Sequence, residues 1–326
     1  MSGIFLNLIS AGEASAPIKY ELFTWGKNNA GQLGLGNTTN YNSPKQVGAL
    51  KTWEILPNQT YQHTASITSD GFLWTWGLNF YFQPQGTLGL NNGINYSSPK
   101  QVGALKTWAT IGGSSSSEAC CATKTDGTFW TWGLGASGRL GLGDTVNRSS
   151  PTQVGALTNW SFGSFGSQML VATKTDGTLW VSGSGSGGRL GLGNTTSYSS
   201  PKQIGGLTNW AKVVPFSTAC LAIKTDGTLW GWGRNNYGQL GLGNTTYYSS
   251  PKQVGALTTW DKIAAHYGGG IAITTSGTLF TWGRNNSGQL GLGNTTNYNS
   301  PKQVGSLTTW EEVSAGREHC FALKNP

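Results

Sequence analysis

A Trp-Gly step recurs along this chain at Trp25, Trp76, Trp132, Trp232 and Trp282, with Ser182 in the one copy that lacks the indole. A proline follows each step, at Pro44, Pro99, Pro151, Pro201, Pro251 and Pro301, and then a second tryptophan, at Trp53, Trp108, Trp160, Trp210, Trp260 and Trp310. The last three intervals in each series are 50 residues. A period of this length restricts the fold to a propeller, a solenoid or an array of small modules.

Local chemistry chooses among these. Each copy carries two apolar runs separated by a turn, as in Cys220-Leu-Ala-Ile-Lys-Thr-Asp226-Gly227-Thr-Leu-Trp-Gly-Trp232. Asp-Gly favours positive φ and predicts a tight β-hairpin, repeated at Asp70-Gly71, Asp126-Gly127 and Asp176-Gly177 and softened to Ser276-Gly277. The proline run predicts a third strand, its leading proline suiting a strand start or an edge. The segment after the second tryptophan, such as Trp310-Glu-Glu-Val-Ser, predicts a fourth. Four short strands per repeat make a propeller blade. A small residue stands four before each turn position (Ser66, Ala122, Ala172, Ala222, Ala272, Ala322), as close strand packing requires.

The expected architecture is all-β, a six-bladed β-propeller over residues 20–326. Glu21-Leu-Phe-Thr-Trp25 reads as the second half of a hairpin and Cys320-Phe-Ala-Leu-Lys324 as the first half. Their pairing is expected to close the sixth blade and remove exposed edges. Residues 1–19 read as an arm. Its apolar tip (Ile4, Phe5, Leu6, Leu8, Ile9) precedes the small, polar Ser10–Pro17 stretch, and either docks on a partner or caps its own domain. The tip lacks a basic lead and is too short for a signal peptide or a membrane span.

Charged residues are only 10% of the chain, but 37% are hydrophobic and regularly placed, which argues for folding rather than disorder. The formal charge is +8, with no run of consecutive basic residues, so anionic partners are permitted without any nuclear-targeting or arginine-rich segment. Cys120, Cys220 and Cys320 share one repeat position, with Cys121 beside the first, and read as buried small hydrophobes rather than a disulfide or metal framework. Asn37, Asn194, Asn244 and Asn294 open Asn-x-Thr triplets, read as turn residues.

The motif Trp-Gly-x-Asn-x-x-Gly-Gln-Leu-Gly-Leu-Gly, followed by the proline strand and the Asp-Gly hairpin, resembles the repeat of the regulator of chromosome condensation family over about residues 20–324. The resemblance implies a β-propeller, usually of seven blades, and six copies depart from that count. Guanine nucleotide exchange on a small GTPase, one activity in the superfamily, uses a protruding wedge with acidic and histidine loop residues. No insertion of that size is present here, and acids number only thirteen. Ultraviolet-B perception, another, uses Gly-Trp-Arg-His-Thr motifs, and Gly316-Arg-Glu-His319-Cys lacks the tryptophan.

Candidate binding residues lie where copies differ or share a charge. Between Trp76 and Gly86 are ten residues of spacing against six between Trp25 and Gly31, and the added stretch holds Phe80, Tyr81 and Phe82. Such aromatics anchor a sugar or protein, or fold back on their own blade. Lys45, Lys100, Lys202, Lys252 and Lys302 share the position after the proline, with Thr152 as the exception, and symmetry is expected to place them on one side. Lys27, Arg234 and Arg284 share a second position, and Arg139 and Arg189 replace a glutamine. His63 and His319 are equivalent and read as structural hydrogen-bonding groups. No catalytic triad, paired carboxylate, phosphate loop, metal set or cofactor motif emerges.

The reading at this level is a non-enzymatic structural or adhesion propeller. Near-identical copies of Gly-Gln-Leu-Gly-Leu-Gly-Asn-Thr-Thr at Gly31, Gly238 and Gly288 point to duplication of a scaffold. Low charge, Asn/Thr/Ser-rich turns and the short arm resemble bacteriophage or bacterial surface proteins built from this repeat, and the resemblance implies a bacteriophage virion appendage. Its expected partners are other virion or surface proteins through the arm, and an anionic glycan or host receptor, with no specific nucleic acid. The alternative is a signalling scaffold, acting in the cytoplasm, that binds a small GTPase or chromatin.

Overall fold

A computed structural model describes residues 20–49, 52–54, 62–79, 86–113, 118–316 and 318–325. The aromatic insertion at Phe80, Tyr81 and Phe82 and the tip at Ile4, Phe5, Leu6, Leu8 and Ile9 lie outside these residues. The described chain divides into two compact units, one built from 136–145 and 164–325, the other from 20–135 and 146–163.

In the first unit the sheet Trp210–Phe216, Ala219–Lys224, Leu229–Gly233 and Tyr248–Gln253 runs in chain order, each strand antiparallel to the last. The sheet Trp260–His266, Gly269–Thr274, Leu279–Gly283 and Tyr298–Gln303 repeats it. Met169–Lys174, Leu179–Gly183 and Tyr198–Gln203 form the same three later strands of a further four-stranded sheet. The second unit holds the four-stranded sheet Trp108–Gly112, Ala119–Lys124, Phe129–Gly133 and Arg148–Gln153. It also holds a three-stranded one, His63–Ile67, Leu73–Gly77 and Tyr96–Gln101. Residues 55–61, which precede it, lie outside the description. The blade unit expected from the repeat is therefore present.

Three expectations need correction. The hairpin is not a two-residue turn with two positive-φ residues. Gly127 Nα donates to Lys124 O at 2.9 Å and Lys124 Nα to Thr128 O at 3.0 Å, so three residues form the loop. Only the glycine is left-handed (Gly227, φ 74°), which is a type I turn closed by a glycine bulge. Asp226 instead clips the turn, its Oδ1 accepting from Thr228 Nα at 3.0 Å and Thr228 Oγ1 at 2.6 Å. Second, of strand start and edge the proline takes the edge: its strand lies last in the sheet and begins at a tyrosine three residues earlier, as in Tyr248–Gln253. Pro251 sits in its interior, beside a break in register between Gly231 and Gly233, where its lack of an N–H costs no ladder bond.

Third, the terminal half-hairpins do not pair. Phe23–Gly26 binds Tyr41–Gln46, Trp310–Ala315 binds Cys320–Lys324, and these are two separate two-stranded sheets. Unpaired, their apolar side chains remain outward: Phe23 is 46%, Trp25 40%, Phe321 48% and Leu323 54% exposed. Each strand of a two-stranded sheet has one bare edge, whereas Gly269–Thr274, in the middle of its sheet, is buried throughout.

Indoles dominate the core. Trp76, Trp132, Trp232 and Trp282 are fully buried, and each Nε1 donates across to the preceding repeat: to Gln32 O, Thr87 O, Arg189 O and Gln239 O at 2.9–3.1 Å. A Cβ on Gly191 would stand 2.7 Å from Trp232 Nε1, so this loop must be bare where the indole passes. Each side chain thus fills one blade and ties down the link before it.

Candidate binding surface

The outermost strand of each blade sets the surface. Alternation along Tyr248-Ser-Ser-Pro-Lys252-Gln places the tyrosine and the lysine on the same side of the strand despite the irregularity. The ammonium then lies over the ring: Lys202 over Tyr198 at 5.6 Å, Lys252 over Tyr248 at 5.8 Å and Lys302 over Tyr298 at 5.6 Å in one unit. In the other, Lys45 lies over Tyr41 at 5.7 Å and Lys100 over Tyr96 at 5.4 Å. The lysines are exposed and the tyrosines half-buried, so each pair contributes about 0.5–1 kcal/mol. Their effect is to hold a charge at a fixed height above an apolar plate. The third copy breaks the pattern with Arg148 and Thr152.

The tyrosine hydroxyl is fixed as well. Asn244 Nδ2 donates to Tyr248 Oη at 3.2 Å, and Asn294 Nδ2 to Tyr298 Oη at 3.3 Å. The asparagines of the Asn-x-Thr triplets are thus turn residues, their Oδ1 accepting from the N–H two positions on, as in Thr246 Nα at 2.9 Å. Beside the last pair lies a cleft of about 320 Å³ lined by Asn236, Tyr237 and Thr245 of one repeat and Asn297 to Ser300 with Lys302 of the next. Amide, hydroxyl, aromatic and ammonium groups converge there, a set that suits polar protein side chains or sugars.

Of the sequence-derived sites, the five lysines are exposed and equivalent within each unit. The cleft, which brings Tyr237 and Asn297 together, was not among them; the tyrosine's departure from Ala30 and Ser287 was the available signal.

The histidines separate. His63 is buried, its Nε2 lying 3.1 Å from Cys120 Sγ, and burial pushes its pKa down to about 3. His266 is buried and held down to about 4, by burial first and the charge of Arg284 to a lesser degree. His319, in contrast, is exposed and stands edge-on to Phe321 at 5.0 Å. Cys120, Cys121 and Cys220 are buried free thiols, and burial pushes Cys120 up to about 12, so they are small core groups rather than nucleophiles. Among the described residues no three His, Cys, Asp or Glu gather as a metal set, and no helix is long and apolar enough to cross a membrane.

Comparison with known proteins places the repeat. The Regulator of chromosome condensation (RCC1) repeat matches residues 21–56, 126–169, 176–218, 226–273 and 276–323. Curated relatives include mouse E3 ubiquitin-protein ligase HERC2, 32% identical over 42% of this chain and 3% of that protein. Arabidopsis thaliana Ultraviolet-B receptor UVR8 is 30% identical over 49% of this chain and 36% of its own. The chain therefore spans only part of the length of these relatives. Among solved structures, Prp20p of Saccharomyces cerevisiae superposes with a TM-score of 0.79 at 18% identity, over 94% of this chain and 79% of its own. Human WBSCR16 gives 0.78 at 21% identity, over 93% and 80%. At these identities the likeness establishes the fold alone. Five matched repeats, covering most of the chain, place this protein in the RCC1 repeat family.

Proposed function

We propose that this chain is a non-catalytic, protein-binding scaffold of the signalling type, meeting an acidic partner surface with the lysine–tyrosine pairs of its outer strands. The observation that carries this reading is the repetition of one exposed geometry, Lys202 on Tyr198, Lys252 on Tyr248 and Lys302 on Tyr298, within a single unit. Charges so arranged steer an acidic partner, and the tyrosine plates give it apolar area to bury. The net charge of +8 acts in the same direction.

The relatives support a protein partner. Prp20p is described with its binding properties to Gsp1p and histones, and yeast RCC1 (Prp20) has been seen with Kap60 bound. By that analogy the partner here is a small GTPase or a chromatin component, and the cytoplasm or nucleus is the place of action. The virion-appendage reading rests on the near-identity of the copies and on an arm outside the described residues. It draws no support from the relatives.

Surface plasmon resonance of the full chain against a small GTPase and against nucleosomes tests the proposal. Saturable binding to one of them, weakened about tenfold or more in the Lys202→Glu, Lys252→Glu, Lys302→Glu variant, is the expected result. Binding to neither, or binding indifferent to the three charges, contradicts it.

A further inference from the structure

At the position where other repeats carry glutamine, Arg189 is buried to 3% exposure. Gln239 and Gln289 use Oε1 to accept from Tyr237 Nα and Ser287 Nα, both at 2.9 Å. Arg189 has no acceptor to offer and donates instead. Its Nε donates to Ser186 O at 2.9 Å and its Nη1 to Gln168 Oε1 at 3.0 Å. Both partners are neutral, so the charge itself is left uncompensated.

The charged group beside it is another cation. Burial first, and then the like charge of Arg234, hold the Arg189 guanidinium below its usual range. Arg234 lies against Gly187, where an added Cβ would come within 2.9 Å of its Cγ and 3.3 Å of its Nε. That Nε is buried and has no hydrogen-bond partner, as is also true of Arg284 Nε in the next repeat, so the difference between the two lies in the charges around them. Among the described residues neither arginine forms an ion pair.

The next repeat shows what is missing. Arg284, equivalent to Arg234, stacks on Tyr237 at 5.5 Å and faces Glu318 Oε1 at 3.7 Å. In place of that ring and that carboxylate, Arg234 has Gly187 and a second arginine. Two neighbouring cations, one of them buried to 3% exposure, are costly unless a counter-charge joins them. Guanidinium forks match the two oxygens of a carboxylate or phosphate.

We propose that Arg189 and Arg234 form an oxyanion-binding site, occupied by a free phosphate or by the carboxylate of an acidic side chain. The site stands on these two residues and is independent of the lysine–tyrosine surface.

Thermal unfolding of the full chain tests it, with inorganic phosphate and a glutamate-rich peptide as probes, each against sodium chloride at equal ionic strength. Arg189→Gln installs the residue of Gln32, Gln239 and Gln289, and Arg234→Ser the residue of Ser184. Arg234→Lys, after Lys27, keeps the charge and removes the fork. The expected result is a saturable rise in melting temperature with at least one probe beyond chloride. Its apparent affinity should fall about tenfold or more in Arg189→Gln and in Arg234→Ser, and by less in Arg234→Lys. A response to phosphate alone identifies a free anion, and a response to the peptide alone identifies a side-chain carboxylate. No response beyond chloride with either probe, or an undiminished response in the two neutral variants, overturns the site.

Discussion

At the residue scale, the copy that lost its tryptophan shows how tightly the core is specified. Ser182 pairs across its sheet with Leu170, whereas Trp132 faces Cys120, Trp232 faces Cys220 and Trp282 faces Gly270. A small residue opposite the indole has become large where the indole became small. A Cβ on Gly141 would stand 3.5 Å from Leu170 Cδ2, whereas one on Gly191 would meet Trp232, so leucine occupies the space of the missing ring. We therefore expect Leu170→Cys to open a cavity and Ser182→Trp to overpack, each costing about 1–4 kcal/mol in urea unfolding. The double variant should recover much of that loss, with a coupling of about 1–3 kcal/mol. Strictly additive effects would refute the compensation.

The buried histidines give a second residue-scale expectation. His63 and His266 have folded pKa values near 3 and 4, below the ordinary value of 6.5, so the unfolded chain binds protons that the folded chain refuses. Their contribution is present above about pH 6.5 and is lost as pH falls towards 4, at a slope of up to about 1.4 kcal/mol per pH unit for each. His63→Gln should flatten that slope in acid denaturation. An unchanged slope would mean that His63 is solvated.

At the element scale, the hairpin turn is the part of the repeat least open to change. A Cβ on Gly227 would combine φ of 74° with a 2.1 Å approach to Thr258 O. Gly227→Ala should cost about 2–4 kcal/mol in chemical denaturation, and Gly255→Ala, left-handed but with nothing within 4 Å, about 1. Equal costs would show that crowding plays no part.

The strand pattern was readable because hydrophobic periodicity and turn residues are local. Asp226-Gly227 and Trp232 carried their elements in plain sight, though the hydrogen bonds that Asp226 accepts from Thr228 corrected the turn type. What the sequence left obscure depends on distant partners. Nothing near Arg234 in the chain announces that Gly187, and not a tyrosine, lies against it. The exposed Phe321 and Leu323 likewise depend on whether a second strand reaches them, which the alternation of Cys320–Lys324 cannot decide.

At the scale of the whole molecule, duplication multiplies whatever the outer strand presents. Within one unit, three copies of a lysine held over a tyrosine turn a weak local contact into a periodic surface. Exposed ion pairs such as Lys212–Asp261, at 3.2 Å, contribute little to folding. On the function proposed above, the repeated lysines serve recognition: an exposed charge gains little from its own fold and more from a partner of opposite sign.

The most direct measurement compares two variants of equal net charge. Lys202→Gln, Lys252→Gln and Lys302→Gln together take the formal charge from +8 to +5 (8 − 3), and so do Thr175→Glu, Thr225→Glu and Thr275→Glu at the exposed hairpin turns. The account predicts that association with the acidic protein partner slows about tenfold or more in the lysine variant and changes little in the turn variant, both remaining folded. Equal slowing in the two would show that net charge alone acts, and would contradict a binding surface on the outer strands.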